Sequence, residues 1–367
     1  MMSDQTIIYQ IALKLIPGIG GVLIKNLISY CGSPEQIFKQ SRTKLEKVPG
    51  IGSLLATNVA SFRDFTQAEN ELEFIRKHQI KTLFYLDKDY PARLREIPDA
   101  PTLLFALGNV NLNPAKIVGI VGTRKSSEYG KAFTQNLVHD LKEYDCMILS
   151  GLAYGIDVIA HKSAIDEKLQ TVGVLAHGLD RIYPAQHKNI AKKMLENGGL
   201  ITEFPSQTNP DRENFPKRNR IVAGMCDVLV IVETAIKGGA RITAEIANSY
   251  NKDIMALPGR INDYYSQGCN YLIKENKASL ITCAEDLLSL MRWDQKKGQK
   301  PITPDLFSEL SEEDAQLLLY LQQKQKAGID QMAYDLNSDP GILALRLLEL
   351  EFMGFVRPLP GKYYELI

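Results

Sequence analysis

Between residues 117 and 282 the chain carries seven short apolar runs, Ile117 to Val121, Met147 to Ser150, Thr171 to Ala176, Leu200 to Glu203, Val228 to Val232, Ile254 to Leu257 and Leu280 to Thr282, separated by amphipathic stretches. A run apolar at consecutive positions has no polar face to offer water. A strand built from it must be covered on both sides, and parallel strands joined by helical crossovers achieve this. The pattern predicts an α/β fold, a doubly wound Rossmann-like parallel sheet, occupying residues 86–292.

The flanks read differently. Residues 1–85 predict short helices punctuated by Pro17-Gly18-Ile19-Gly20 and, 32 positions on, Pro49-Gly50-Ile51-Gly52. Such a turn stops one helix and opens the next, whose free N–H groups can meet a phosphate. These turns resemble helix-hairpin-helix motifs, which grip DNA backbone; equally, tight turns let small helices pack, as in sterile-alpha-motif-like modules. Residues 293–310, rich in Lys, Gln, Pro and Asp, predict a linker. From residue 311 three helices and a hairpin over Phe355 to Tyr364 predict a winged-helix-like module. Its third helix carries one basic side chain, Arg346, against Glu349 and Glu351, so protein contact is as compatible with it as DNA reading.

Lys+Arg and Asp+Glu are both 43, so a nucleic-acid partner needs a local basic patch. Five widely spaced cysteines without a CxxC pair disfavour a zinc site or a disulfide framework and predict a reducing cytoplasm. No apolar run of bilayer length occurs, and Asp4 and Gln5 stand where a signal peptide has cations, so neither membrane nor export is expected.

The chemistry concentrates at the strand ends. The first run closes on Gly122-Thr123-Arg124 and the second on Ser150-Gly151, where an open α/β sheet places its ligand crevice. Without a G-x-G-x-x-G turn, and with Ser150-Gly151 at the second strand's end where a ribose-binding Asp or Glu would be wanted, neither a dinucleotide nor any other cofactor is expected. Backbone amides, hydroxyls and the Arg124 fork predict a phosphate cradle. Asp157 opens the next helix beside His161 and reads as a helix cap. The segment from Asp211 to Gly224 interleaves Arg212, Lys217, Arg218 and Arg220 with Phe215 and Asn219. Cations beside an aromatic suit single-stranded nucleic acid, although some of these arginines could pair with Glu203 or Glu233. Gly238, Gly239, Arg241 and Thr243 predict a second anion-binding turn at a helix start.

In order, Gly122-Thr123-Arg124, the segment 150–157, Gly178 to Pro184, the segment 214–224, the segment 238–247 and Gly268-Cys269-Asn270 resemble the DNA-processing protein A (DprA, or Smf) family. The resemblance implies a non-enzymatic protein that binds and protects single-stranded DNA. It further implies loading of the RecA recombinase in natural transformation or recombination, and a homodimer formed through the Rossmann-like domain. By matching motif it places phosphate contacts at Gly122, Thr123, Arg124, Ser150 and Gly151, with Lys217, Arg218, Asn219 and Arg220 along the strand's path. Tyr154, where many relatives carry Arg, and Ala185, where some carry Lys, depart from the pattern. The alternative is a nucleotide-processing, phosphoribohydrolase-like enzyme on a similar sheet, which needs a water-activating carboxylate, here Glu233 or Glu245.

Overall fold

The computed structural model describes residues 3–293, 311–359 and 362–366. Apart from Trp293 the predicted linker lies outside them, as does the Pro360-Gly361 turn. Residues up to 293 form one compact unit and those from 311 another.

Six helices open the chain: α1 (Asp4–Leu15), α2 (Gly21–Cys31), α3 (Pro34–Phe38), α4 (Arg42–Leu45), α5 (Ser53–Ser61) and α6 (Thr66–Lys77). Ser3 and Ser33 cap α1 and α3 by accepting the amides of Thr6 and Gln36. The two Pro-Gly-Ile-Gly turns precede α2 and α5 and lock against each other. Gly18 and Gly50 sit at φ +80° and +83°, and a Cβ on either would meet Leu55 Cδ2 at 2.8 Å or Leu23 Cδ2 at 2.9 Å. Asn58 Nδ2 donates to the Pro17 carbonyl at 3.1 Å and Asn26 Nδ2 to the Pro49 carbonyl at 3.0 Å. Every member of these pairs has its counterpart 32 residues on, so the module is an internal repeat whose halves clasp reciprocally.

The sheet follows: β1 (Lys81–Phe84), α7 (Ala92–Arg95), β2 (Leu103–Leu107), β3 (Ile117–Gly122), α8 (Glu128–Asp140), β4 (Met147–Ser150), α9 (Ile156–Asp166), β5 (Thr171–Val174), α10 (Lys188–Met194), β6 (Gly198–Thr202), α11 (Asn214–Met225), β7 (Val228–Val232), α12 (Gly239–Ser249), β8 (Asp253–Ala256), α13 (Gln267–Lys274), β9 (Ser279–Leu280) and α14 (Ala284–Leu290). Its spatial order is β1-β2-β6-β5-β4-β3-β7-β8-β9. The seven strands from β3 to β9 are parallel, as the apolar runs require, and helices cover both faces.

Two strands absent from the sequence pattern, β1 and β2, extend the sheet antiparallel at the β6 edge. They also correct the predicted boundary at residue 85. Phe84, Leu103 and Phe105 are buried in the same core as Ile11, Leu27 and Val59 of the helical module, so helices and sheet form one unit. Polar ties reinforce this: the Glu71 carboxylate accepts the Ser206 amide at 3.0 Å, and the Lys14 ammonium donates to the Glu203 carbonyl.

The second unit contains α15 (Glu312–Lys324), β10 (Lys326–Gly328), α16 (Ile329–Asp335), α17 (Pro340–Phe352), β11 (Val356–Leu359) and β12 (Tyr363–Leu366). The strands form an antiparallel sheet ordered β10-β12-β11 over a core of Leu317, Leu321, Leu343, Leu347, Leu350 and Val356. Three helices thus accompany the β11–β12 hairpin, to which β10 adds a third strand.

Candidate functional site

The chain leaves β3 for β4, β5 and β6 on one side, then returns to β7, β8 and β9 on the other. The carboxyl ends of β3 and β7 therefore border the crevice where connections diverge, the place where open α/β sheets bind ligands. A cleft of about 460 Å³ opens there. Gly122, Thr123, Arg124, Gly151, Phe215, Arg218, Asn219, Gly238, Gly239 and Thr243 line it, bringing together ten of the predicted site residues.

Each segment is held by backbone bonds. The Thr123 amide donates to the Glu233 carbonyl at 2.7 Å, joining the β3 and β7 exits. Thr123 Oγ1 accepts the Lys125 amide at 3.2 Å, which turns Arg124 outward. The Arg124 guanidinium lies 5.1 Å from the Phe215 ring centroid, and Tyr183 stands 6.3 Å from Phe215 on a tilted approach. No carboxylate pairs with Arg124 among the described residues, leaving its fork for a ligand.

Arg218 forms the floor. It is 5% exposed, its Nη1 donates to the Val174 carbonyl at 2.7 Å, and its Nε has no partner among the described residues. Gly151 is required beside it, because a Cβ there would overlap the guanidinium. Burial lowers the Arg218 pKa, and the neighbouring Asp157 charge opposes that loss. Burial likewise raises the Asp157 carboxyl, opposed by Arg218 and by the amides of Ala153, Gly122 and Gly151. Asp157 is thus an internal counter-charge at the start of α9. His161 does not face it: His161 Nδ1 bonds Thr171 Oγ1 at 2.7 Å, deep in the fold.

The far wall is the start of α12, where Gly238 caps without a side-chain bond and a Cβ on Gly239 would meet nothing within 4 Å. The first amides of the helix are therefore open to the cleft. Thr243 borders the cleft with its hydroxyl given to the Gly239 carbonyl at 3.2 Å.

Four expected contacts lie elsewhere. Ser150 is fully buried and donates to the Ile120 carbonyl at 2.5 Å, making it an inter-strand tie. Arg241 pairs with Glu245 at 2.8 Å, donates to the Ile236 carbonyl at 2.6 Å and stacks over Tyr271, so the second turn contributes amides without this cation. Lys217 and Arg220 project from the opposite side of α11, into a separate cleft of about 440 Å³ beside the helical module, because successive helix positions are about 100° apart. Arg220 is paired there with Glu203 at 2.5 Å, the structural alternative open for it at the sequence level.

The cleft also contains residues outside the sequence-derived set: Lys125, Lys237, Tyr264 and Tyr265. The two lysines adjoin motifs already singled out. The tyrosine pair leaves the β8 end on a loop clamped by Asn270, whose amide exchanges hydrogen bonds with the Gly259 backbone at 2.9 and 3.1 Å. Adjacent aromatics just past a strand's carboxyl end were the available signal. Among the lining residues Arg124, Lys125, Arg218 and Lys237 face one carboxylate, Asp157, so an overall neutral chain concentrates positive charge here.

A switch-point cleft lined by a helix start, four cations and a group of aromatic rings defines the class: an α/β protein with its candidate ligand site at the carboxyl ends of a parallel sheet. The sequence model of the DNA recombination-mediator protein A family matches residues 81–292. Protein Smf of a Synechocystis strain is 30% identical, over 99% of this chain and 100% of its own length. The crystal structure of DNA processing protein A from Streptococcus pneumoniae superposes with a TM-score of 0.68 at 29% identity, covering 78% of this chain and 98% of that one. A structure addressing the single-stranded DNA binding mode of DNA processing protein A from Helicobacter pylori matches with a TM-score of 0.54 at 29% identity, over 59% of this chain and 97% of that one. The chain belongs to the DNA recombination-mediator protein A (DprA/Smf) family.

Proposed function

We propose that this protein binds and shields single-stranded DNA in the switch-point cleft and loads the RecA recombinase onto it, acting as a homodimer in the cytoplasm and without catalysis. The observation that carries this reading is the Arg124 guanidinium over the Phe215 ring in a cleft that Arg218 and the start of α12 also line. Phosphates meet the cations and amides while unpaired bases lie on Phe215, Tyr183, Tyr264 or Tyr265. The single-stranded DNA named for the Helicobacter pylori relative supports the same ligand class.

A non-catalytic role is supported by the engagement of both candidate carboxylates. Glu233 is 6% exposed and accepts the Ser127 amide at 2.9 Å and the Ser127 hydroxyl at the start of α8, and Glu245 holds Arg241. The winged-helix-like terminal unit and the RecA contact follow the family resemblance.

Fluorescence anisotropy with a labelled single-stranded oligonucleotide at two salt concentrations tests the reading. Tight binding that weakens with salt is expected, with Phe215→Ala losing about 1–3 kcal/mol per stacked base and Arg124→Ala lowering the salt slope by about one. Wild-type protein that leaves the oligonucleotide free would overturn it. Accelerated RecA filament growth and a dimer in sedimentation test the remaining parts.

A further inference from the structure

The exposed face of α17 is apolar at the position where a nucleic-acid-reading helix would be basic. Ile342, Leu345, Leu348 and Phe352 recur at three- and four-residue steps and are 58%, 58%, 46% and 85% exposed. The opposite face, Leu343, Leu347 and Leu350, already forms the core of the unit. The helix's one cation, Arg346, is engaged internally, bonding Asp314 at 3.0 Å and also reaching Glu313. Glu349 is exposed one turn beyond Leu345 and one turn before Phe352, an acid set within the stripe. From residue 311 onward the sequence has nine carboxylates and five cations. That charge repels a phosphate backbone and a second copy of the same unit alike. It complements a helix whose apolar stripe is flanked by Lys or Arg.

We propose that α17 is a docking face for a basic amphipathic helix of a partner protein, with Leu345, Leu348 and Phe352 meeting its apolar stripe and Glu349 a cation on its flank. The surface works independently of DNA in the cleft.

The test uses the full chain and a labelled peptide of about 18 residues, roughly five helical turns, with Leu at helical spacing and Lys elsewhere. A scrambled peptide of the same composition and one with Glu replacing Lys are the controls. The basic amphipathic peptide is expected to bind at least about tenfold tighter than either control, and Leu345→Ala with Phe352→Ala to lose about tenfold or more. Glu349→Lys, which alters only an exposed position, should reverse the preference between basic and acidic peptides. Arg124→Ala should leave peptide binding unchanged, which separates this surface from the cleft. The inference is overturned by equal affinity for the scrambled peptide or by an unaltered charge preference in Glu349→Lys. It is equally overturned by duplex DNA binding lost in Leu345→Ala, or by self-association dispersed by Leu345→Glu without peptide binding.

Discussion

Arg218 shows how a single side chain couples the cleft to the fold. Its guanidinium occupies the space a side chain at position 151 would need, donates to the Val174 carbonyl and feels the charge of Asp157. Gly151→Ala must displace it and strand Asp157 without its counter-charge. A loss of about 2 kcal/mol or more in urea unfolding is expected, together with weakened oligonucleotide binding. A substitution harmless to both would show that Arg218 is not the floor of the site. His161 supplies a pH prediction. Burial, then the charges of Arg218 and His187, push its pKa down to about 3, so it is neutral in the fold. The unfolded chain takes up this proton near pH 6.5, so the stability His161 contributes is complete above that value. It is lost as pH falls toward the folded pKa, by up to about 1.4 kcal/mol per pH unit. His161→Gln should flatten the decline in urea midpoint between about pH 7 and about pH 5; an unchanged slope would assign the acid sensitivity to other groups.

Among the elements, the reciprocal clasp of the two hairpins has measurable symmetry. Gly18→Ala and Gly50→Ala each force a side chain into a left-handed backbone and against the other repeat's leucine. Each should cost about 2 kcal/mol, and to a similar extent, because the contacts are equivalent. Thermal unfolding of the two variants checks this; a large inequality would mean that one hairpin is held chiefly by the sheet. The 32-residue echo was legible as two identical turns, whereas the clasp was not. A tetrapeptide match identifies the turns but not Leu23, Leu55, Asn26 and Asn58, which contribute only once the helices pack. On α11 the cation-rich segment was equally plain, yet its side chains divide between two clefts, because a linear run of charges becomes two faces when wound into a helix.

At the scale of the molecule, β1 and β2 bind the helical module to the sheet. A fragment of residues 86–293 lacks β1 and exposes the faces of Leu103 and Phe105 that the helices cover. It should unfold at lower temperature and aggregate more readily than a fragment of residues 1–293; equal behaviour in scanning calorimetry and light scattering would make residue 85 a genuine domain boundary. By itself the amino-acid order determined the parallel sheet, the glycine-rich strand exits and the terminal three-helix unit, because strands buried on both faces and tight turns are written in consecutive residues. Only the tertiary structure decided that Ser150 and Arg241 are internal ties, that Arg220 belongs to Glu203, and that Tyr264, Tyr265, Lys125 and Lys237 complete the cleft. Arg241 turns to Glu245 one helical turn away, but the partners of Ser150 and Arg220 and the company in the cleft come from segments distant in sequence, and long-range packing, unlike periodicity, leaves no local trace.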